Sequence, residues 1–192
     1  MYRLFLFLLL LLGACQPKSS RVIDVDGNSY PTKELGGLLW MTENLRVTKD
    51  AEGKAITYFH PNEDPTQTTT YGLLYDYPTA CQVCPKGWRL PTNEDWEKLL
   101  ILGEDNIAPL WKDANYWPGD KSENSTGFSV RPTGYGNSGE FDNGFGEKTL
   151  FISKTKDNEH DIWTYIFEQG KSSIRKAPQH PTYGFSVRCV KG

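Results

Sequence analysis

The residues of this 192-residue chain with the most evident chemistry are its four cysteines, and their settings differ. Cys15 closes the tetrad Leu12-Gly13-Ala14-Cys15, behind an unbroken apolar run from Leu4 to Leu12 and a single leading cation, Arg3. This is a lipobox-type pattern. Gly13 and Ala14 are small enough for a peptidase cleft, and the Cys15 thiol is the nearby group able to take a diacylglycerol. The apolar run is about as long as a signal-peptide core and well short of the roughly 20 residues that span a bilayer. Residues 1–14 therefore read as a signal peptide and 15–20 as an acylated polar tether, with the membrane as a partner through a palmitate-type anchor. Gln16 is not the Asp of inner-membrane retention, and no acidic cluster follows the cysteine. The expected location is thus the outer membrane of a cell envelope, with the face left open.

Cys81-Gln-Val-Cys84 has the spacing of a thioredoxin-type redox site or half a zinc site. No βαβ pattern surrounds it, and no second cysteine pair or paired histidine follows. His60, His160 and His180 stand in polar, turn-rich segments without shared spacing, as solvated loop residues would. No Ser/His/Asp motif or phosphate-cradling glycine loop is present, and no two carboxylates are marked as a glycosidase pair. The reading is a protein that is not an enzyme, with no metal and no cofactor. The remaining chemistry is recognition. Trp111, Tyr116 and Trp117 can present flat faces to sugar rings, with Asp142, Asn143 and Glu147 supplying hydrogen bonds or calcium ligands. The competing reading packs these rings beneath their own loop.

Those side chains need a scaffold, and composition bounds it. Residues 21–192 suffice for a single domain with one core. A net charge of −3, with no Lys/Arg block longer than two, gives nucleic acid no footprint. Aromatics make up 13 % of the chain, with six Trp, which suits a loop-rich fold filled by rings.

Arg21 to Tyr30 alternates around Asp26-Gly27, predicting a hairpin; Asp24-Val-Asp-Gly-Asn28 reads as its turn and not as a calcium loop, since the downstream Glu is missing. Leu38–Met41 reads as a buried strand, residues 49–70 as a polar surface excursion, and Tyr71–Tyr77 as a strand or tight turn. Thr92 is a good N-cap with Asp95 three residues on, and Trp96, Leu99 and Leu100 share one face, predicting a helix over 93–102 ended by Gly103. Strands are expected at 127–131, 149–153, 161–167 and 183–190, the third central because both its faces carry bulk. Gly-Phe-Ser-Val-Arg occurs at 127–131 and 184–188, and the two copies are expected in one sheet with Phe128 and Phe185 in similar sites. In the glycine-rich stretch 134–147, Tyr135, Phe141 and Phe145 are expected to pin the loop to the core. Trp40, Trp88, Trp96 and Trp163 are expected to be core residues.

Several of these pieces, in order along nearly the whole mature chain, resemble the Fibrobacter succinogenes major paralogous (FISUMP) domain of Bacteroidetes and Fibrobacter lipoproteins. They are Asp24–Tyr30, Leu39-Trp-Met-Thr-Glu-Asn-Leu-Arg46, Tyr71-Gly-Leu-Leu-Tyr75, Cys84-Pro-Lys-Gly-Trp-Arg-Leu-Pro-Thr92 with Trp96, Gly127-Phe-Ser129 and Gly184-Phe-Ser-Val-Arg-Cys-Val190. The Trp88–Thr92 and Gly184–Cys189 pieces are also similar to C-type-lectin-like modules and to the formylglycine-generating-enzyme fold. The resemblance implies an α+β, C-type-lectin-like domain over 21–192, with short twisted antiparallel strands, one or two helices and long loops. It carries no established activity. It also places family-type cysteines at Cys84 and Cys189 and implies a disulfide between them in an oxidising compartment, with Cys81 either an alternative partner or a free thiol. The functional expectation is a membrane-anchored, non-catalytic domain that recognises a glycan or an envelope protein, with an adhesive role among the candidates. The alternative is an enzyme related to the formylglycine-generating fold.

Overall fold

The computed structural model describes residues 20–100, 107–136 and 143–192. The acylation cysteine Cys15, the tether up to residue 19, Asp142 and Phe141 lie outside the described residues, as do residues 101–103, where the helix was expected to end.

β1 (Arg21–Ile23) and β2 (Ser29–Leu35) form the predicted antiparallel hairpin. Its turn is built by Asp24, whose carboxylate accepts from the N–H groups of Asp26 and Asn28, the Asn28 amide and the buried Tyr30 hydroxyl. Four donors around one short acid make a turn without any metal. β3 (Leu38–Met41) pairs with β2 and with the last strand. The excursion 49–70 runs over the surface through a Lys49–Ala55 bridge and two proline-led 3₁₀ turns. One-turn α1 (Thr68–Tyr71), β4 (Leu74–Tyr75) and one-turn α2 (Tyr77–Ala80) follow.

α3 (Asn93–Leu100) is the one helix longer than a single turn among the described residues. Thr92 caps it as its sequence demands: the Asp95 carboxylate accepts from the Thr92 N–H at 2.8 Å, and the Thr92 hydroxyl accepts from the Asp95 N–H at 3.4 Å. Arg89 adds a two-pronged contact to Asp95 at 2.5 and 3.0 Å. The buried face carries Trp96 and Leu99. α4 (Ala108–Trp111) is a single turn.

β5 (Lys148–Lys156), β6 (Ile162–Glu168), β7 (Arg175–Gln179), β8 (Phe185–Ser186) and β9 (Val190–Lys191) complete two sheets. One has the order β1-β2-β3-β9 and the other β4-β8-β5-β6-β7, so β6 has a neighbour on each side, as expected. Alternation along β5 and β6 explains the core. Leu150, Ile152, Ile162 and Ile166 join one cluster with Tyr30, Met41, Tyr75 and Phe185; Phe151, Tyr165 and Phe167 join a second with Trp40, Trp96, Trp111 and Phe128. Among the described residues, two largely antiparallel sheets, with one parallel pairing between β5 and β8, and a few short helices make the fold α+β. Cys84 and Cys189 form the disulfide, and Cys81 is a free, exposed thiol.

Several sequence expectations fail. The strand expected at 183–190 is split into β8 and β9, which belong to different sheets. Residues 127–131 are not a strand: Gly127 and Ser129 take positive φ (69° and 58°), and the segment pairs only through a Val130–Lys112 bridge. The two pentapeptides therefore do not share a sheet, and Phe128 and Phe185 lie in different core clusters. Trp88 is half-buried and packs against the edge of the first core cluster, and Trp163 is half-buried and lies 4.7 Å under the Lys176 ammonium, outside both clusters.

Candidate functional site

The aromatic trio does not form an exposed platform. Trp111 and Trp117 are each 1 % exposed and belong to the second core cluster. The Trp117 indole N–H donates to the Val130 carbonyl at 2.8 Å, and its ring lies 4.4 Å from the Lys112 ammonium. Lys112 is itself buried, held by Asp120 at 2.5 Å and by the Glu168 and Lys171 carbonyls. This segment is a packed cap. Asn143 turns its Oδ1 to the Phe145 N–H, stabilising a local turn, and Glu147 is exposed four residues on.

Tyr116 is different. It is half-buried, with the Arg131 guanidinium 4.3 Å from its ring centroid and Tyr71 packed edge-on at 5.7 Å. Tyr71 in turn meets half-buried Phe145 at 4.9 Å. A recess lined by Glu43, Asn44, Arg46, Thr69, Thr70, Gly72, Ser129, Arg131 and Arg188 adjoins this ring cluster, since Arg131 covers Tyr116 and Tyr71 stands between Thr70 and Gly72 in the chain. The recess as a whole leaves about 10 Å³, room for one water-sized atom.

Long-range contacts build this recess. Asn44 is the hinge: its amide donates to the Tyr71 carbonyl at 2.9 Å and to the Thr133 hydroxyl at 3.1 Å, and its Oδ1 accepts from Arg188 Nε at 2.9 Å. Gly72 lies so close that a Cβ there would stand 2.6 Å from the Asn44 Cβ, and its φ is +84°. Only glycine fits both demands.

Arg188 is 2 % exposed. Its other nitrogens donate to the carbonyls of Phe128 and, at 2.8 Å, Ser129, and its carbon lies 4.2 Å over the Phe128 ring. It has no ion pair among the described residues. Burial pulls its pKa down to about 9, Arg131 acts in the same direction, and Glu43 and Asp113 act against both. At neutral pH it is still a cation. Arg46 pairs with Glu43 at 3.3 Å, and Arg131 pairs with Asp113 at 3.2 Å while donating to the Thr70 carbonyl. Three guanidiniums thus meet two carboxylates, and the recess is electropositive.

Sequence reasoning missed Glu43, Asn44, Arg46, Arg131 and Arg188 as a group. The signal was the repeated pentapeptide. Both copies end in an arginine that lines this recess, and the second copy's Arg188 clamps the backbone of the first.

The sequence model of the Fibrobacter succinogenes major domain matches residues 34–191. The chain belongs to this family. Comparison with curated proteins and with solved structures returns no match. In this Fibrobacter succinogenes major domain, Glu43, Asn44, Arg46, Gly72, Ser129 and Arg188 all come from the motifs that carry the resemblance, and the fold gathers them from four separate stretches.

Other depressions border the described residues, two of them near aromatic or cysteine side chains. One, of about 210 Å³, lies over β5 and β6 between Tyr135 and Tyr183, with Lys148, Arg175 and Gln179 at its edge. The other, of about 480 Å³, passes Cys81, Cys84, Lys86, Trp88 and Lys154. Desolvation raises the Cys81 thiol pKa, against the lowering pull of Tyr77, Lys154 and Lys156, so the group is not a thiolate nucleophile at neutral pH.

Proposed function

We propose that the protein is a lipid-anchored, non-catalytic recognition domain of a bacterial cell envelope, and that it binds glycan at the ring-bordered recess. The observation that carries the reading is the cluster of Tyr71, Tyr116 and Phe145 joined, through Arg131 over the Tyr116 ring and through Thr70 and Gly72 on either side of Tyr71, to a polar recess built largely from the family's own motif residues. Half-buried aromatic rings beside hydrogen-bonding groups suit pyranose rings, which present an apolar face and a polar edge. The relation to C-type-lectin-like modules, suggested by the Trp88–Thr92 and Gly184–Cys189 pieces, belongs to the same reading.

The formylglycine-type alternative needs a cysteine pair for oxidation. Here Cys84 is joined to Cys189 and Cys81 stands alone, which favours a structural role for the pair. The anchor rests on Cys15. Attachment there leaves a tether of a few residues before β1, holding the domain close to the membrane, on a face this reading leaves open.

A broad glycan array probed with the full-length protein and with Tyr116→Ala tests the reading. Binding by the former, weakened at least tenfold in the variant, is the expected result. A silent array with retained pull-down of an envelope protein moves the function to protein recognition. Labelling with a palmitate analogue, lost in Cys15→Ser, is the expected result for the anchor.

A further inference from the structure

The recess contains a buried cation whose charge its surroundings leave unbalanced. Arg188 is enclosed, yet its acceptors are two backbone carbonyls and an amide oxygen, none of them charged. A guanidinium has five N–H donors, and these contacts use three. The carboxylates nearest in charge terms, Glu43 and Asp113, are already paired to Arg46 and Arg131. Enclosing an ion without a counter-ion costs several kcal/mol, which a folded protein must recover elsewhere. The recess beside Arg188 has Arg46 and Arg131 at its wall and the Thr69 and Thr70 residues at its mouth. The whole recess admits one water-sized atom, too little for a sugar ring but enough for one oxygen of a carboxylate.

We infer that the recess recognises a carboxylate, and that the ligand is an acidic glycan whose uronate group seats one oxygen among Arg46, Arg131 and Arg188 while its ring rests on the Tyr71–Tyr116–Phe145 border. This rests on the glycan-recognition reading above and names the ligand class it leaves open. A uronic acid suits the site because it joins both features in one residue: the carboxylate lies on C5 of the ring, a bond's length from the face that stacks. Arg131 serves both, since it reaches the recess and covers the Tyr116 ring at 4.3 Å. A guanidinium presents several N–H donors in fixed directions, so more than one of these arginines can converge on that single oxygen, a geometry that an ammonium reproduces only in part.

Isothermal titration of the full-length protein in detergent micelles tests this, with oligogalacturonate and its fully methyl-esterified counterpart as probes. Esterification removes the charge and keeps the ring. The expected result is binding of the acid form about 10- to 100-fold tighter than the ester, the range of one or two charge-assisted hydrogen bonds. Arg131→Gln should remove that preference, bringing the acid and ester affinities together, and Arg131→Lys should restore only part of it. Circular dichroism and a cooperative thermal melt establish that the variant is folded. Equal binding of acid and ester, or an Arg131→Gln variant that keeps the preference, overturns the uronate inference and leaves glycan recognition standing. Binding of poly-glutamate with no uronide binding overturns it in favour of an acidic protein partner. Silence toward every glycan overturns both readings.

Discussion

Asn44 is the side chain on which the geometry of the recess depends, and its removal has a calculable cost. In Asn44→Ala, Arg188 loses its Nε acceptor at 2.9 Å inside the protein, and the Tyr71 carbonyl and Thr133 hydroxyl lose donors at 2.9 and 3.1 Å. An enclosed charged donor left unpaired costs about 1.5–3 kcal/mol, and the two neutral groups about 1 kcal/mol each. The further contact to the Ser186 hydroxyl is 3.4 Å long and adds little. The expected destabilisation is about 3.5–5 kcal/mol, which for a domain of this size lowers Tm by about 7–20 °C. Asn44→Asp separates the contributions. It keeps the acceptor for Arg188 and supplies the missing counter-charge, but turns an oxygen toward the Tyr71 carbonyl. Its cost should be about half that of alanine. Urea unfolding followed by tryptophan fluorescence reads both, with the slope checked for constancy. A loss below about 1 kcal/mol in the alanine variant, or aspartate as damaging as alanine, would refute the claim that Asn44 acts chiefly through Arg188.

Breaking the Cys84–Cys189 bridge by Cys→Ser at both positions reopens a loop of sequence separation 105, worth up to about 5 kcal/mol in the chain-entropy model. Exposed Cys81→Ser should stay within about 0.5 kcal/mol of the parent; thermal melts with non-reducing peptide mapping check both. Burial pushes the Asp95 carboxyl up, but Arg89 and the Thr92 N–H and hydroxyl more than offset it, leaving its pKa below the ordinary carboxylate value. Its contribution is therefore present in full above its unfolded pKa of about 3.9 and lost as pH falls through the lower folded value. Asp95→Asn should cost about 0.5–2 kcal/mol of capping at pH 7 and converge with the parent in acid; parallel stability curves down to pH 2 would show the assignment to be wrong.

What was legible in the sequence follows the range of the interactions. The hairpin at Asp24–Asn28, the cap at Thr92 and the central position of β6 are written in residues a few positions apart, and the fold reproduces them. Residues 127–131 carry the same alternation as a true strand, but in them it serves another end. Phe128 enters the core while the Phe128 and Ser129 carbonyls turn to Arg188, which requires the positive φ at Gly127 and Ser129 that a ladder would not permit. Trp111 and Trp117 looked available because their segment has no period. The buried Lys112–Asp120 pair that organises it joins residues eight apart and draws on carbonyls near 170, which no local window contains. The recess was illegible for the same reason: Asn44 and Arg188 are 144 positions apart.

The disulfide and the recess belong to one construction. Cys189 follows Arg188 directly, and backbone bonds flank the pair: the Met41 N–H donates to the Cys189 carbonyl at 3.1 Å and the Leu45 N–H to the Val187 carbonyl at 2.9 Å. These two bonds bracket residues 41–45 against 187–189, which sets Asn44 opposite Arg188. The Leu73 N–H donates to the Leu45 carbonyl at 2.8 Å and brings the Tyr71–Gly72 turn beneath Asn44. The bridge to Cys84 then ties this assembly to the segment that leads into α3. An arginine side chain has enough rotatable bonds to escape to water if its backbone shifts, so enclosing one without a counter-ion demands a backbone held on both sides. The covalent tie beside Arg188 meets that demand, and this connects the most chemically distinct feature of the C-terminal motif, its Arg-Cys pair, to the electropositive recess.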